Sequence, residues 1–212
     1  MKPLQMPMFS PETEWVPPLN LPDLKEYPEI AIDLETRDPG LMTMGSGAIS
    51  GNGEVVGIAV AVEGWSGYFP IAHEGGGNMD RALVLDWFEE VLHTEATKIF
   101  HNAMYDVSWI RAMGFQINGG IIDTMIAASL VNENRWSFTL DSISKEYVGM
   151  GKNEKILVEA AKAWGVNPKA EMWRLPAPLV GEYAERDAEV TLKLWHAMKH
   201  ELTQQDLWEV FN

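Results

Sequence analysis

Two acidic side chains, Asp33 and Glu35, lie two residues apart near the start of the chain. Apolar residues alternate with small or polar ones from Ile30 to Leu34, which is the pattern of a strand. Residues two apart in a strand point to the same face, so both carboxylates should project from one side. Like charges at that spacing repel unless something neutralises them. Taken alone, such a pair is also typical of a solvated strand end.

A further carboxylate, Asp106, closes the stretch HNAMYD that begins at His101. This stretch follows a short predicted strand at Lys98–Phe100 and opens a predicted helix from about Ala103 to Met113. Asp106 therefore falls in the first helical turn, where the helix dipole alone favours an acidic residue. The same junction lies at the edge of the predicted sheet, where α/β proteins often place ligand sites. Asp106 either stabilises the start of the helix or belongs to a site.

The last candidate pair is Tyr183 and Asp187, in the stretch GEYAERDA. The two residues are four apart on a helix predicted from Val180 to about Leu202, so they stack on one face. A tyrosine hydroxyl beside a metal-bound carboxylate can hold an attacking water. A surface pair has the same spacing, and Arg186 is equally suited to form an ion pair with Glu182.

In chain order the three motifs are Asp-x-Glu, Asn-x-x-x-Asp and Tyr-x-x-x-Asp. Together they resemble the exonuclease motifs of the DEDD superfamily, tyrosine subtype. The most specific resemblance is to the 3′–5′ proofreading domain of family A, polymerase I-like DNA polymerases, particularly those of phages, and it extends from about Trp15 onward. The histidine subtype has a histidine where this chain has Glu182, so the tyrosine subtype fits better. The stretches most similar to that domain are Ile32–Thr36, Phe100–Asp106, Ile122–Ala127 and Gly181–Leu192.

The resemblance implies two divalent cations, Mg²⁺ or Mn²⁺, which suit an oxygen-only ligand set. By resemblance, Asp33 bridges both ions and Asp106 holds the second. Glu35 and Asp187 complete the ligands of the first. Tyr183, with Glu35, orients the water that attacks the scissile phosphate, and the second ion stabilises the leaving 3′-oxygen. The product is a 5′-mononucleotide.

Thr36 and Asn102 are the candidates for binding the terminal nucleotide. Each is equally suited to satisfy local backbone groups.

The composition limits how nucleic acid can be bound. The chain has 212 residues, 16 of them basic and 31 acidic, which gives a net charge of −15. This argues against tight duplex binding through a basic face, because such affinity comes from neutralising phosphates. Binding a few unpaired nucleotides needs stacking surfaces more than basic charge. The chain has no cysteine, which excludes disulfides, thiolate zinc sites and cysteine nucleophiles.

The order of predicted helices and strands indicates an α/β fold. The resemblance further implies the ribonuclease H-like form of it, a mixed β-sheet flanked by helices. Three strands form a meander, and a further strand lies among helices. Residues 1–28 hold seven prolines and should form an extended N-terminal arm that Trp15 pins to the rest. Residues 29–212 should form the 3′–5′ exonuclease domain. Residues 37–53 are expected to be a loop, and further helices are expected at Met79–His93, Asp123–Val131, Leu140–Tyr147 and Lys152–Ala163.

The expected function is that of a metal-dependent 3′–5′ exodeoxyribonuclease acting on single-stranded or frayed DNA 3′ ends, as the proofreading domain of a DNA polymerase. A ribonuclease D-like exoribonuclease has the same motifs, and a nuclease-dead module that binds nucleic acid is a further alternative.

Expected partners are the single-stranded DNA 3′ end and a polymerase domain in cis. No membrane partner is expected, because the longest apolar run, Val55–Val62, is too short to cross a bilayer. The expected location is the cytoplasm of a bacterium or phage-infected cell, and the chain is either an excised domain or a stand-alone nuclease.

Overall fold

The computed structural model describes residues 7, 9–151 and 154–211. Its strands are β1 (Glu29–Arg37), β2 (Glu54–Val62), β3 (Trp65–Pro70), β4 (Thr97–Phe100) and β5 (Ile121–Asp123). Within the described residues these five strands form one mixed sheet in the order β3-β2-β1-β4-β5. β1 pairs antiparallel with β2 and parallel with β4. The predicted α/β class with a mixed sheet is confirmed.

The helices cover both faces of this sheet. They are α1 (Leu41–Met44), α2 (Gly47–Ser50), α3 (Arg81–Leu92), α4 (Ala103–Ala112), α5 (Thr124–Val131), α6 (Leu140–Tyr147), α7 (Lys155–Trp164), α8 (Gly181–Gln204) and α9 (Trp208–Phe211). In the part of the chain that the structure covers, no helix combines the length and hydrophobicity needed to cross a membrane.

The predicted elements differ from the structure in three places. The expected loop 37–53 contains α1 and α2, which are four residues each and too short to show a period. β5 was not expected, because three residues cannot show alternation. The predicted helix start at Lys152 lies outside the described residues, and the helix is described from Lys155.

The two faces of β1 pack against different layers. Ile30, Ile32 and Leu34 join a core with side chains of α3 and α4. Ala31 points the other way and packs with α8. Because side chains alternate along a strand, the next residues in phase with Ala31 are Asp33 and Glu35, which therefore face α8. Alanines line both sides of this second layer, so the helix can approach the sheet closely: Ala31, Ala59 and Ala61 from the sheet, and Ala184 and Ala188 from α8.

Polar contacts fix the position of α8 along β1. The Glu29 carboxylate accepts hydrogen bonds from Trp195 Nε1 at 2.9 Å and from Lys199 Nζ at 2.8 Å. His196 Nε2 lies 3.0 Å from the same carboxylate. The start of β1 is thus tied to the second half of the helix.

The N-terminal arm forms no helix or strand between Phe9 and β1. It is nevertheless held by packing, because Leu24 is buried in the core and Trp87 Nε1 donates a hydrogen bond to the Pro22 carbonyl at 2.7 Å. The predicted contact of Trp15 with the rest of the protein is present. Its ring centroid lies 6.0 Å from that of Tyr68, and its indole covers Gly181 at the start of α8.

Replacing Gly181 with alanine should displace Trp15, because the new methyl group would overlap the indole ring. Overpacking of this kind costs about 1–3 kcal/mol, to be measured as a lower free energy of unfolding in urea. In a Trp15→Ala background the same change should cost nothing or stabilise, since the space is then open. Equal costs in the two backgrounds would contradict a contact between the arm and α8.

Candidate active site

A cavity of about 790 Å³ lies where β1, α4 and α8 meet. Residues from all three sequence motifs line it: Asp33, Glu35, Asn102, Asp106, Tyr183 and Asp187. Thr36 lines an adjoining cavity of about 280 Å³, which shares Glu35, Tyr105 and Tyr183 with the larger one. Segments that are far apart in the sequence are therefore brought to one place.

The end of β1 presents its two carboxylates through an irregular register. Asp33 lies opposite Ala59 and Glu35 opposite Gly57, after which the register shifts. A β-bulge of this kind redirects side chains and is common beside functional sites. At Gly57 a side chain would overlap the Tyr68 ring, so only glycine leaves room for that ring.

A buried hydrogen-bond chain supports the sheet next to these carboxylates. The Tyr68 hydroxyl lies 2.5 Å from His73 Nε2, and His73 Nδ1 lies 3.0 Å from the Leu175 carbonyl. A carbonyl can only accept, so Nδ1 donates and Nε2 accepts from the tyrosine. Burial lowers the pKa of His73 to about 4, consistent with a neutral ring. Burial, followed by the charges of Glu35 and Asp33, raises the pKa of Tyr68 well above its usual value.

Asp106 is held against β1 from the first turn of α4. It is 5% exposed, and its Oδ1 accepts a hydrogen bond from the Leu34 backbone amide at 3.0 Å. Burial, followed by the charge of Asp33, raises the pKa of Asp106 well above its usual value, and the Leu34 hydrogen bond opposes this only in part. Asp106 and Asp33 therefore resist being ionised together.

Asp123 orients the segment that carries Asp106, a role that sequence patterns did not indicate. Its carboxylate caps α5 through the Met125 amide at 2.9 Å. The same carboxylate accepts hydrogen bonds from the Asn102 amide at 3.0 Å and the Ala103 amide at 2.8 Å. The end of β5 thus fixes the start of α4.

The two candidates for nucleotide binding have different surroundings. Asn102 adopts a left-handed conformation (φ 66°), which asparagine tolerates better than most residues, and its exposed side chain makes no capping bond. The Thr36 hydroxyl lies 2.7 Å from the Tyr105 hydroxyl, which in turn donates to Asp38 at 3.1 Å. With its own hydrogen directed to Asp38, Tyr105 accepts from Thr36, so the Thr36 hydroxyl already has a partner.

α8 brings Tyr183 and Asp187 into the cavity on one face. Asp187 is 3% exposed, and the Tyr183 hydroxyl hydrogen-bonds its carboxylate. Burial, followed by the charges of Asp187, Glu35 and Asp33, raises the pKa of Tyr183 far above its ordinary value. Tyr183 therefore keeps its proton and cannot act as a base at neutral pH. Arg186 pairs with Glu189 at 2.9 Å, whereas the sequence suggested Glu182 as a partner.

Negative charge dominates the cavity. Among the described residues that line it, six are acidic and two are lysines, Lys145 and Lys169. Lys145 bonds Asp141 at 2.7 Å. Within residues 7, 9–151 and 154–211, no group of three or more histidine, aspartate or glutamate side chains has the arrangement of a formed metal site.

Several lining residues were missed by the sequence analysis. Tyr105 and His101 belong to the HNAMYD stretch, so the motif itself was a signal for them. The others come from α5 or from the segment between α5 and α8, where no spacing rule links a residue to the carboxylates: Met125, Phe138, Thr139, Leu140, Asp141, Lys145, Glu154 and Lys169.

Solved structures share this fold. Brucella melitensis NrnC with bound Mg²⁺ is 19% identical and matches with a TM-score of 0.60, covering 88% of this chain and 79% of that one. Escherichia coli RNase D is 17% identical, with a TM-score of 0.56 over 87% of this chain and 42% of that one. The fold is the ribonuclease H-like fold of the DEDD exonucleases.

Sequence comparison then identifies the family. The 3′–5′ exonuclease model of family A DNA polymerases matches residues 21–203, and the chain belongs to this family. The DNA-directed DNA polymerase of Pseudomonas phage M6 is 37% identical over 99% of this chain and 33% of its own length. DNA polymerase I of Pseudomonas aeruginosa is 27% identical over 86% of this chain and 19% of its own. The predicted family is confirmed, and the chain spans at most about a third of these curated relatives.

Replacing Asp106 with asparagine should stabilise the protein in EDTA at pH 7.5. The raised pKa means that ionising Asp106 costs folding free energy, so wild-type stability is lost as pH rises from about 4. Asparagine keeps the oxygen that accepts from Leu34 and removes the charge. A gain of about 1 kcal/mol would raise the melting temperature by roughly 2–4 °C.

The gain should shrink as the pH falls towards 4, where wild-type Asp106 is protonated. A lower melting temperature for Asp106→Asn at pH 7.5, or a difference that does not depend on pH, would contradict the repulsion described above.

Proposed function

We propose that this chain is a metal-dependent 3′–5′ exodeoxyribonuclease that releases 5′-mononucleotides from single-stranded or frayed DNA 3′ ends. The observation that carries the proposal is the convergence of carboxylates from β1, α4 and α8 on one cavity, in a member of a 3′–5′ exonuclease family.

The carboxylates fit a site for two divalent cations, Mg²⁺ or Mn²⁺. We assign Asp33, Glu35, Asp106 and Asp187 as ligands, since they offer only oxygen and share one cavity. Burial, followed by the charges of neighbouring carboxylates, raises the pKa values of Asp106 and Tyr183, and bound cations would relieve the repulsion between those charges. Bound Mg²⁺ or Mn²⁺ would supply Lewis-acid stabilisation of the charge that develops on phosphate oxygens.

Tyr183 and Glu35 orient the attacking water in this proposal. Tyr183 stays protonated and directs its hydrogen to Asp187, so its oxygen remains able to accept a hydrogen bond from water. Glu35 lies in the same cavity and can accept the second hydrogen of that water. These two hydrogen bonds orient the water so that a lone pair of its oxygen points at the phosphorus.

The terminal nucleotide is bound beside the carboxylates. Asn102 offers an exposed amide at the cavity, and Thr36 lies in the adjoining one with Tyr105 fixing its hydroxyl. Lys145 and Lys169 also line the main cavity and can face the phosphates of the strand.

The matched relatives favour DNA over RNA. The phage and bacterial relatives, at 37% and 27% identity, are DNA polymerases, whereas RNase D, at 17%, shares the fold alone. We therefore propose proofreading for a polymerase domain in cis, in the cytoplasm of a bacterium or phage-infected cell. In this proposal the chain divides into an extended N-terminal arm, residues 1–28, and the exonuclease domain, residues 29–212.

The decisive experiment follows mononucleotide release from matched single-stranded DNA and RNA oligomers, with Mg²⁺, with Mn²⁺ and in EDTA. We expect metal-dependent release, faster from DNA. Asp187→Ala or Asp33→Ala should lower turnover by orders of magnitude, because both residues are assigned as cation ligands. Mn²⁺ should raise the melting temperature of the wild type by mass action, and of Asp187→Ala much less. Faster RNA cleavage would favour the exoribonuclease, and equal turnover of wild type and variants would refute the site.

Tyr183→Phe should reduce turnover by up to about 100-fold, because the water loses one orienting contact. The loss should be smaller than for Asp187→Ala, and the Mn²⁺-dependent rise in melting temperature should persist, since the hydroxyl is not a ligand. Tyr27→Phe, which lies before β1 and lines neither cavity, is the matched control. A loss larger than that of Asp187→Ala would show that the hydroxyl does more than orient water.

A further inference from the structure

One tryptophan is presented to solvent in a loop that also lines the cavity. The side chain of Trp136, in the loop between α5 and α6, has a relative exposure of 105%. Five other tryptophans are buried in the structure: Trp87, Trp109, Trp164, Trp173 and Trp195. An indole carries a large apolar surface that proteins usually bury, and exposed aromatic residues are enriched where a partner binds.

The loop that carries Trp136 is firmly anchored on both sides. The Arg135 side chain, 8% exposed, bonds Glu146 at 2.5 Å and the Ser142 carbonyl at 3.3 Å. On the other side, His101 Nε2 donates to the Phe138 carbonyl at 2.9 Å. Trp136 lies between these anchors, so the backbone that carries its exposed indole is held in place. A loop backbone that is already ordered lowers the entropy cost of binding a partner.

The same loop forms part of the wall of the cavity. Phe138 and Thr139 of this loop line it, as does Leu140 at the start of α6. Trp136 is two residues before Phe138, and two residues of extended chain span at most about 7 Å. The backbone of Trp136 therefore lies within about 7 Å of a residue that lines the cavity.

The charge distribution determines what kind of partner fits. The chain carries a net charge of −15, and acids outnumber lysines six to two among the described cavity residues. A strand of nucleic acid therefore gains little affinity from phosphate contacts here. A nucleobase is uncharged and flat, and stacking on an aromatic side chain provides affinity that does not depend on phosphates.

We propose that Trp136 is a stacking platform for an unpaired base of the DNA strand, on the 5′ side of the nucleotide held in the cavity. This rests on the proposed exonuclease function and adds to it a binding site outside the cavity. Duplex DNA cannot use the platform, because its bases are already stacked within the helix.

The test measures binding of fluorescent single-stranded oligonucleotides by anisotropy, in an Asp187→Ala background that does not cut them. Trp136→Ala should weaken binding by roughly 5- to 150-fold, the range for removal of one stacked base contact, and Trp136→Phe much less. Leu19→Ala removes an apolar side chain that is 95% exposed and lines neither cavity, and should bind as the background does.

Oligonucleotides with a single abasic position identify stacking specifically. At one position of the strand, the abasic site should weaken binding to the Asp187→Ala protein as much as Trp136→Ala does. With that oligonucleotide, adding Trp136→Ala should cause no further loss of affinity. The cost of Trp136→Ala should also be the same at 50 and 200 mM salt, since no charge is removed.

Unchanged affinity of Trp136→Ala would overturn the proposal, and so would a loss that is independent of every abasic position. If wild-type protein still releases mononucleotides from DNA in either case, the proposed function stands without the platform. If the wild-type protein neither binds nor cleaves DNA, both the stacking platform and the proposed exonuclease function are wrong.

Discussion

Repulsion among buried carboxylates is the constraint on which the rest of this structure depends. Asp106 and Asp187 are almost fully buried, and Asp33 and Glu35 share their cavity. Burial and, after it, repulsion by Asp33 disfavour ionisation of Asp106, and both raise the pKa of that carboxyl. A fold can keep these carboxylates together only if other interactions hold each one in place. Those interactions must contribute more free energy than the burial and repulsion cost.

Those interactions come from close packing around β1. Alanines on the sheet and on α8 allow the helix to lie near the strand, and Glu29 ties the two elements together through Trp195 and Lys199. Gly57 admits the Tyr68 ring beside the carboxylates. The Leu34 amide holds Asp106 from the other side. The apolar layer formed with α3 and α4 then keeps β1 rigid, so the site is supported from both faces of the sheet.

The sequence was sufficient for those parts of the fold and site that depend on short-range spacing. Alternation at Ile30–Leu34 placed Asp33 and Glu35 on one face, and helical spacing joined Tyr183 to Asp187. It failed where an element is too short to show a period, as in α1, α2 and β5. It also failed for Asp123 and Lys169, whose positions depend on the path of the chain between distant elements. The convergence of the three motifs was predicted from family resemblance, since no local pattern encodes it.

An acidic chain is consistent with a nucleic-acid substrate if the affinity comes from unpaired bases and not from phosphates. A basic groove would bind duplex DNA as readily as a single strand, because both present phosphates. An acidic cavity with two lysines among its described lining residues offers either form little affinity through phosphates, so under the proposed function exposed bases would be the feature that distinguishes substrates. Under the proposed function this is useful selectivity, because a mispaired 3′ end separates more easily than a paired one. Weak phosphate binding then makes cleavage depend on how often the end is unpaired, which is what proofreading must measure.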